Sequence, residues 1–165
     1  MLLKTTTFKI LVLMICMLLA MKKLQAQPSD QMPPFKMLLS TGKFFSAADL
    51  PKDKPVVLIY FAPDCEHCQA LMNDFFKRID VFKKVQVVLI TFKPVDEVSA
   101  FEKLYGTRKY ENIKVGTEGT TFYLRKFFKL DNTPFTAVYN KKGKLVYAYR
   151  KETPVQDLID RVKQL

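Results

Sequence analysis

A close pair of cysteines directly after a buried strand constrains this chain more than any other feature. The continuous apolar run Val56–Phe61 is typical of a strand covered on both faces. The segment Cys65-Glu66-His67-Cys68 follows it, and from Cys68 to Ile79 apolar residues recur at three- and four-residue steps, which predicts an amphipathic helix. The two thiols are therefore expected where a buried strand passes into the first turn of a helix, with Asp64 placed to cap that helix.

Two thiols at such a junction suit disulfide exchange. Free backbone N–H groups and the positive end of the helix dipole both stabilise a thiolate, the reactive form of cysteine. We predict that Cys65, at the helix start, is the nucleophile and that Cys68, one turn further on, resolves the mixed disulfide. The two then form a redox-active disulfide. His67 in its positive form would lower the pKa of the Cys65 thiol, whereas the neighbouring carboxylates of Asp64 and Glu66 would raise it.

The first 26 residues have the pattern of an export signal. Two lysines precede the apolar stretch Ile10–Met21, and Leu24-Gln25-Ala26 offers a small residue before a cleavage point. Lys22 and Lys23 follow the stretch directly, which keeps an uncleaved anchor, and so an N-terminal membrane tether, as the alternative. Residues 27–33 are interpreted as a linker and residues 34–165 as one domain.

Composition and cysteine count narrow the classes of function. The 165 residues are 48% hydrophobic, enough for one domain with its own core. The formal net charge is +11, or +7 without the four lysines of residues 1–26, and we interpret it as a solvated basic surface. The absence of long Lys/Arg runs argues against a nucleic-acid partner. No second cysteine pair or further histidine could complete a zinc shell beside Cys65 and Cys68, so neither a metal nor a cofactor is expected.

The remaining patterns predict the order of elements. Further strands are predicted at Phe35–Leu39, Phe44–Phe45, Val85–Phe92, Phe135–Tyr139 and Lys144–Tyr149, and further helices at Val95–Tyr105, at Thr120–Leu130 and from Pro154 onward. Residues 107–119 have no clear period. The strand–helix–strand unit implies a parallel strand pair. The prediction is an α/β fold with a central mixed β-sheet flanked by helices and a short N-terminal hairpin extension.

This order, with Cys-x-x-Cys at the first helix and Asn132-Thr133-Pro134 before the last hairpin, resembles the thioredoxin fold. Within it, residues 33–165 are most similar to exported thiol–disulfide oxidoreductases of the TlpA/ResA type. The resemblance implies that Pro134 is cis beside the cysteines and that the backbone of Thr133 pairs with an extended substrate. It also implies protein thiols or disulfides as substrates, a membrane or envelope redox donor, and a place in the bacterial periplasm or cell envelope.

Three positions depart from the pattern of that family. Asp64 stands where the family usually has Trp, Ile59 where thioredoxins bury an acidic residue, and Leu71 where TlpA/ResA-type proteins often have Glu. The last two changes remove a proton acceptor for Cys68. The resemblance favours a reductase, whereas a histidine between the cysteines is shared with disulfide oxidases and isomerases and favours the reverse direction.

Two other classes of function remain as alternatives. One is a thiol peroxidase of the same fold, in which a Thr three positions before the reactive cysteine would fall at Ala62. The other is a non-catalytic binding module of an envelope complex.

Overall fold

The computed structural model describes residues 30–165. The predicted export signal at residues 1–26 and residues 27–29 of the predicted linker lie outside the described residues. Among residues 30–165, no helix has the length and apolar character needed to cross a bilayer.

The described part of the chain builds a seven-stranded sheet with four α-helices packed on it. The strands are β1 (Lys36–Leu39), β2 (Phe44–Ser46), β3 (Val56–Tyr60), β4 (Gln86–Thr91), β5 (Ile113–Thr117), β6 (Phe135–Tyr139) and β7 (Leu145–Tyr149). The helices are α1 (Glu66–Lys77), α2 (Val95–Tyr105), α3 (Tyr123–Phe128) and α4 (Val155–Lys163). The predicted α/β fold with a mixed sheet is confirmed.

The strand order in the sheet is β2-β1-β5-β4-β3-β6-β7. The three central strands β5, β4 and β3 run parallel, and the other pairings are antiparallel. Every residue of β3 and β4 is buried, as the continuous apolar runs predict for strands covered on both faces. Tyr60 at the end of β3 pairs with Ile90 near the end of β4, so the carboxyl ends of these two strands open at the same edge.

The side-chain alternation of β3 divides the core into two clusters. Val57 and Ile59 face the cluster that contains the buried sides of α1, α2 and α4. Leu58 and Tyr60 face the opposite cluster, which contains α3. Cys68 belongs to the first cluster, so its thiol is buried on the face of the sheet that α1 covers.

Strand β5 is the main element that the sequence pattern did not predict. It lies within residues 107–119 and pairs with β4 on one side and with β1 on the other. The β1–β2 hairpin is therefore the edge of the main sheet, joined to it through β5. A Cβ at Gly116 would lie 2.8 Å from the Met37 side chain and 2.9 Å from the Leu38 carbonyl oxygen, so this close approach needs glycine.

The predicted helix at Thr120–Leu130 is shorter in the structure. Helix α3 has only six residues, and Phe122 and Lys129 flank it with positive φ values of 47° and 52°. These left-handed residues end the helical turn on both sides, which an apolar spacing pattern cannot reveal.

Candidate active site

The two cysteines lie where the sequence predicts them, at the start of α1 above the carboxyl end of β3. Cys65 is the N-cap residue of α1, with extended backbone (φ −92°, ψ 121°), and Glu66 is the first helical residue. The Cys65 N–H donates to the Ala62 carbonyl at 3.1 Å, which fixes the turn between strand and helix. Cys65 is half-buried, whereas Cys68, inside the first turn, is only 1% exposed.

The environment of Cys65 stabilises its thiolate. Burial acts to raise the pKa of the Cys65 thiol, but hydrogen bonds to its sulfur outweigh this effect and the pKa falls below its ordinary value. The groups that favour the charged sulfur are the backbone N–H groups of Cys68 and His67 and the side chains of Thr133 and Cys68, although the neutral thiol forms no capping hydrogen bond with α1. In the neutral form, the Cys65 thiol lies 3.5 Å from the carbonyl oxygen of Thr133, to which it can donate.

The environment of Cys68 does the opposite. Burial raises the pKa of the Cys68 thiol to about 12, and the neighbouring Cys65 sulfur adds to the increase. A hydrogen bond from the Ala62 backbone offsets this only in part. Ile59 and Leu71, at the two positions where the resembling families have carboxylates, are both buried in the same apolar cluster as Cys68. The structure thus pairs an acidic, accessible thiol with a protonated, buried one.

The Thr133–Pro134 loop reaches the cysteines from the other end of the chain. The peptide bond between these residues is cis, as the resemblance implies. Pro134 is buried, and Thr133 contacts Cys65 although the two residues are 68 positions apart. The structure therefore brings together Cys65, Cys68, Thr133 and Pro134, and the roles given to them remain predictions.

His67 lies between the cysteines with its residue surface exposed. Its backbone N–H is one of the groups that lower the pKa of the Cys65 thiol. His67 lines two grooves, and Lys151 and Glu152 also line both of them. A tuning role for the imidazole remains a prediction.

The prediction that Asp64 caps α1 is wrong. The N-cap residue is Cys65, and the Asp64 carboxylate instead accepts a hydrogen bond from Lys93 Nζ at 2.5 Å. That hydrogen bond lowers the pKa of the Asp64 carboxyl and raises the pKa of the Lys93 ammonium. Lys93 follows β4 as Asp64 follows β3, and because these parallel strands end at one edge, their following loops meet. The sequence pattern alone did not single out Lys93. The parallel pairing of β3 and β4 was the information that could have placed Lys93 near Asp64.

A groove of about 580 Å³ runs beside Cys65. It is lined by Cys65, His67, Phe92, Arg125, Asp131, Asn132, Thr133, Lys151 and Glu152. A second groove of about 390 Å³ is also lined by His67 and includes Pro134. Cys65 therefore faces an open groove on the surface.

A buried carboxylate supports the floor of the first groove. Phe92 stacks on Tyr60 with 6.2 Å between the ring centroids, and the Tyr60 hydroxyl donates to Glu118 at 2.7 Å. Glu118 also accepts the Leu124 N–H at 2.8 Å. Burial raises the pKa of Tyr60, and its hydrogen bond to Glu118 adds to the increase. Glu118 lies in the stretch without a clear period, so no local pattern marked it.

No three His, Cys, Asp or Glu side chains come together as metal ligands within residues 30–165.

Comparison with known proteins gives both a family and a fold. Residues 28–162 match the AhpC/TSA family. Among curated proteins, protein disulfide isomerase-like 2-1 of Oryza sativa subsp. japonica is 27% identical over 86 residues, or 52% of this chain and 24% of the rice protein. The chain thus spans about a quarter of the length of that relative.

Solved structures with the same fold include proteins of several bacteria. A secreted disulfide oxidoreductase of Mycobacterium tuberculosis, homologous to E. coli DsbE, has a TM-score of 0.67 at 20% identity, covering 80% of this chain and 96% of that one. The exposed lipoprotein thioredoxin Etrx1 of Streptococcus pneumoniae has a TM-score of 0.62 at 21% identity, covering 81% and 100%. A peroxiredoxin-like protein of Aquifex aeolicus has a TM-score of 0.68 at 15% identity, covering 82% and 85%.

The family match covers most of the chain, and the mixed sheet with its flanking helices is the one that these structures share. The chain belongs to the AhpC/TSA family and has the thioredoxin-like fold.

Proposed function

We propose that this protein is an exported thiol–disulfide oxidoreductase that exchanges disulfides with protein substrates through Cys65 and Cys68. The observation that carries the proposal is the contrast between two neighbouring thiols, because Cys65 is half-buried at the N-cap of α1 whereas Cys68, one turn further on, is 1% exposed. The pKa of Cys65 is lowered by hydrogen bonds from the first turn of α1 and from Thr133, and that of Cys68 is raised to about 12 by burial. A lowered pKa increases the thiolate fraction that a nucleophilic cysteine needs. A buried, protonated thiol suits the resolving cysteine, because that residue reacts only after the mixed disulfide has formed.

The exchange proceeds in two steps. The Cys65 thiolate attacks one sulfur of a substrate disulfide, which forms a Cys65–substrate disulfide and releases the other substrate sulfur as a thiolate. Cys68 then loses its proton to a thiolate leaving group, and its sulfur attacks Cys65. The Cys65–Cys68 disulfide forms, the second substrate thiol leaves, and two electrons have passed from the protein to the substrate. Run backwards, the same steps deliver a disulfide.

Reduction of the substrate is the favoured direction. The argument for an oxidant depends on an imidazolium at His67 that stabilises the Cys65 thiolate. The contribution of His67 to the lowered pKa of Cys65 comes from its backbone N–H, and the residue surface is exposed. Any residue other than proline would supply this backbone N–H, so the contribution does not require a histidine. The argument for an oxidant is thereby weakened, which supports the reductase direction that the resemblance to the TlpA/ResA type suggests.

The proposed organisation has a signal at residues 1–26, a linker at 27–33 and a catalytic domain at 34–165, with an uncleaved membrane tether as the alternative. The proposed location is the bacterial periplasm or cell envelope. The solved relatives support it because one is described as secreted and another as an exposed lipoprotein. A membrane or envelope redox donor would then return electrons to the Cys65–Cys68 disulfide. Mass spectrometry of the exported protein tests cleavage directly.

The reduction potential of the Cys65–Cys68 pair tests the main proposal. Thiol trapping in graded dithiothreitol or glutathione buffers should give a two-electron couple near about −270 mV or lower for a reductase. A value between roughly −180 and −120 mV would place the protein with oxidases and isomerases. The absence of any reversible couple would refute the oxidoreductase proposal in both directions.

A thiol peroxidase is the second candidate, because a peroxiredoxin-like protein shares the fold. Against it, the position three residues before Cys65 is Ala62, which has no hydroxyl and is 5% exposed. Consumption of hydroperoxide by the reduced protein at a rate that Cys65→Ser abolishes would favour the peroxidase. A non-catalytic envelope module predicts instead that replacing both cysteines by serine leaves the cellular function intact.

A further inference from the structure

Asp64 lies at a sensitive position next to the proposed nucleophile. An aspartate directly before a helix can accept hydrogen bonds from the backbone N–H groups two and three residues on, which here belong to Glu66 and His67. The His67 N–H is one of the donors that lower the pKa of the Cys65 thiol. A carboxylate that took this N–H would compete with the Cys65 sulfur for the donor and bring a negative charge close to it.

In the structure, Lys93 holds the Asp64 carboxylate. Lys93 Nζ lies 2.5 Å from Asp64 Oδ2, and no side-chain hydrogen bond caps α1. The Lys93 side chain is only 24% exposed, and its backbone N–H donates to the hydroxyl of the buried Thr91 at 3.2 Å. Its ammonium also lies 5.8 Å from the ring centroid of Phe92. The Lys93 side chain is thus less exposed than that of a typical surface lysine, whereas the Asp64 side chain with which it pairs is 62% exposed.

We propose that Lys93 is a positioning residue that holds the Asp64 carboxylate off the first turn of α1 and so reserves the N–H groups of that turn for Cys65. This inference rests on the proposed function, because it depends on Cys65 acting as the nucleophile. It also gives a physical reason why an aspartate is tolerated directly before the reactive cysteine. Lys93 acts through Asp64 and contacts no reacting atom.

Charged groups other than Asp64 and Lys93 also lie around Cys65. They are Glu66 and His67 on α1 itself, Arg125 and Asp131 near α3, and Lys151 and Glu152 in the loop before α4. The groups from the other elements are two cations and two anions, and Glu97 of α2 lies close enough to Lys93 to raise the pKa of its ammonium. Because every variant of the test retains these groups, differences between the variants report on Asp64 and Lys93.

A double-mutant cycle in the full chain separates this mechanism from a direct effect of the lysine charge. The readout is the pH dependence of iodoacetamide alkylation of Cys65 in the reduced protein, followed by peptide mapping. In Lys93→Gln, the freed Asp64 should raise the pKa of Cys65 and slow alkylation at pH 6 about tenfold, the equivalent of one pKa unit. In the Asp64→Ala background, the same change should slow it less than about threefold, since only a distant charge is lost.

Two further variants complete the test. Lys93→Arg retains the ion pair and should keep the wild-type profile. Lys83→Gln removes a lysine of a comparable pair, with Asp80 at 2.6 Å, and should also leave the profile unchanged. An equal loss in both Asp64 backgrounds, or no loss in either, would overturn the proposal. Alkylation needs no turnover, so a wild-type protein without a reversible redox couple would refute the proposed function while the cycle still decides the role of Lys93.

Discussion

Replacing each cysteine in turn by serine tests the difference in acidity that the structure creates between the two thiols. Cys68→Ser retains only the half-buried Cys65 at the site, and Cys65→Ser retains only the buried Cys68. With its pKa at about 12, roughly one Cys68 thiol in 10⁵ is ionised at pH 7, against about 3% for an unperturbed cysteine. The pKa of Cys65 is lowered, so its ionised fraction exceeds the unperturbed value.

The expected result is that iodoacetamide alkylates Cys65 at least about 10²-fold faster than Cys68 at pH 7, because only the thiolate reacts and the greater nucleophilicity of the less acidic thiolate offsets part of the roughly 10³-fold difference in ionisation. Burial of Cys68 to 1% exposure increases the ratio further. The assay is quantitative peptide mass spectrometry of reduced protein at a series of pH values, which also separates Cys16 from the two site cysteines. Each variant unfolded in guanidinium chloride serves as the control, where both cysteines should react alike.

Rates for Cys65 and Cys68 that agree within a factor of ten in the folded variants would refute the reasoning. Such a result would mean that burial does not suppress ionisation of Cys68 and that the first turn of α1 does not favour it at Cys65. The assignment of nucleophile and resolving thiol would then lose its physical basis.

Three further predictions concern stability. Because Cys68 stays protonated in the folded state up to about pH 12, its contribution should lower the unfolding free energy of the reduced protein by about 1.4 kcal/mol between pH 9 and pH 10, and urea unfolding should find this increment missing in Cys68→Ala. The raised pKa values of Tyr60, Tyr139 and Tyr149 add to the fall above about pH 10 in both proteins. Tyr60→Phe removes a donor from buried Glu118 and should cost about 1.5–3 kcal/mol by urea unfolding; a change below about 0.5 kcal/mol would contradict the role of that hydrogen bond. Gly116→Ala should cost about 1–3 kcal/mol, seen as a lower Tm, because the added Cβ meets the Leu38 carbonyl; an unchanged Tm would show that β1 can move away.

Much of the fold could be predicted because its central elements carry strong local patterns. The apolar runs that become β3 and β4 and the three-to-four spacing of α1 each reflect burial of one element against its neighbours. Strand β5 was missed because it contains Lys114 and Gly116 among its five residues and shows no clean alternation. Its strand conformation depends on hydrogen bonds to β4 and β1, which lie elsewhere in the chain.

The sequence by itself determined the chemistry available at the site: two thiols at the junction of a strand and a helix, with the first turn of that helix to stabilise one of them. Only the tertiary structure decided how different the two thiols are, because burial of Cys68 and the approach of Thr133, 68 residues from Cys65, depend on the packed sheet. It also decided the partner of Asp64, since a local pattern predicts a helix cap, whereas the parallel strands β3 and β4 bring Lys93 to it from 29 residues away. The spacing of apolar residues and cysteines is a local property of the sequence. Burial and electrostatic partners depend on how distant segments of the chain pack together.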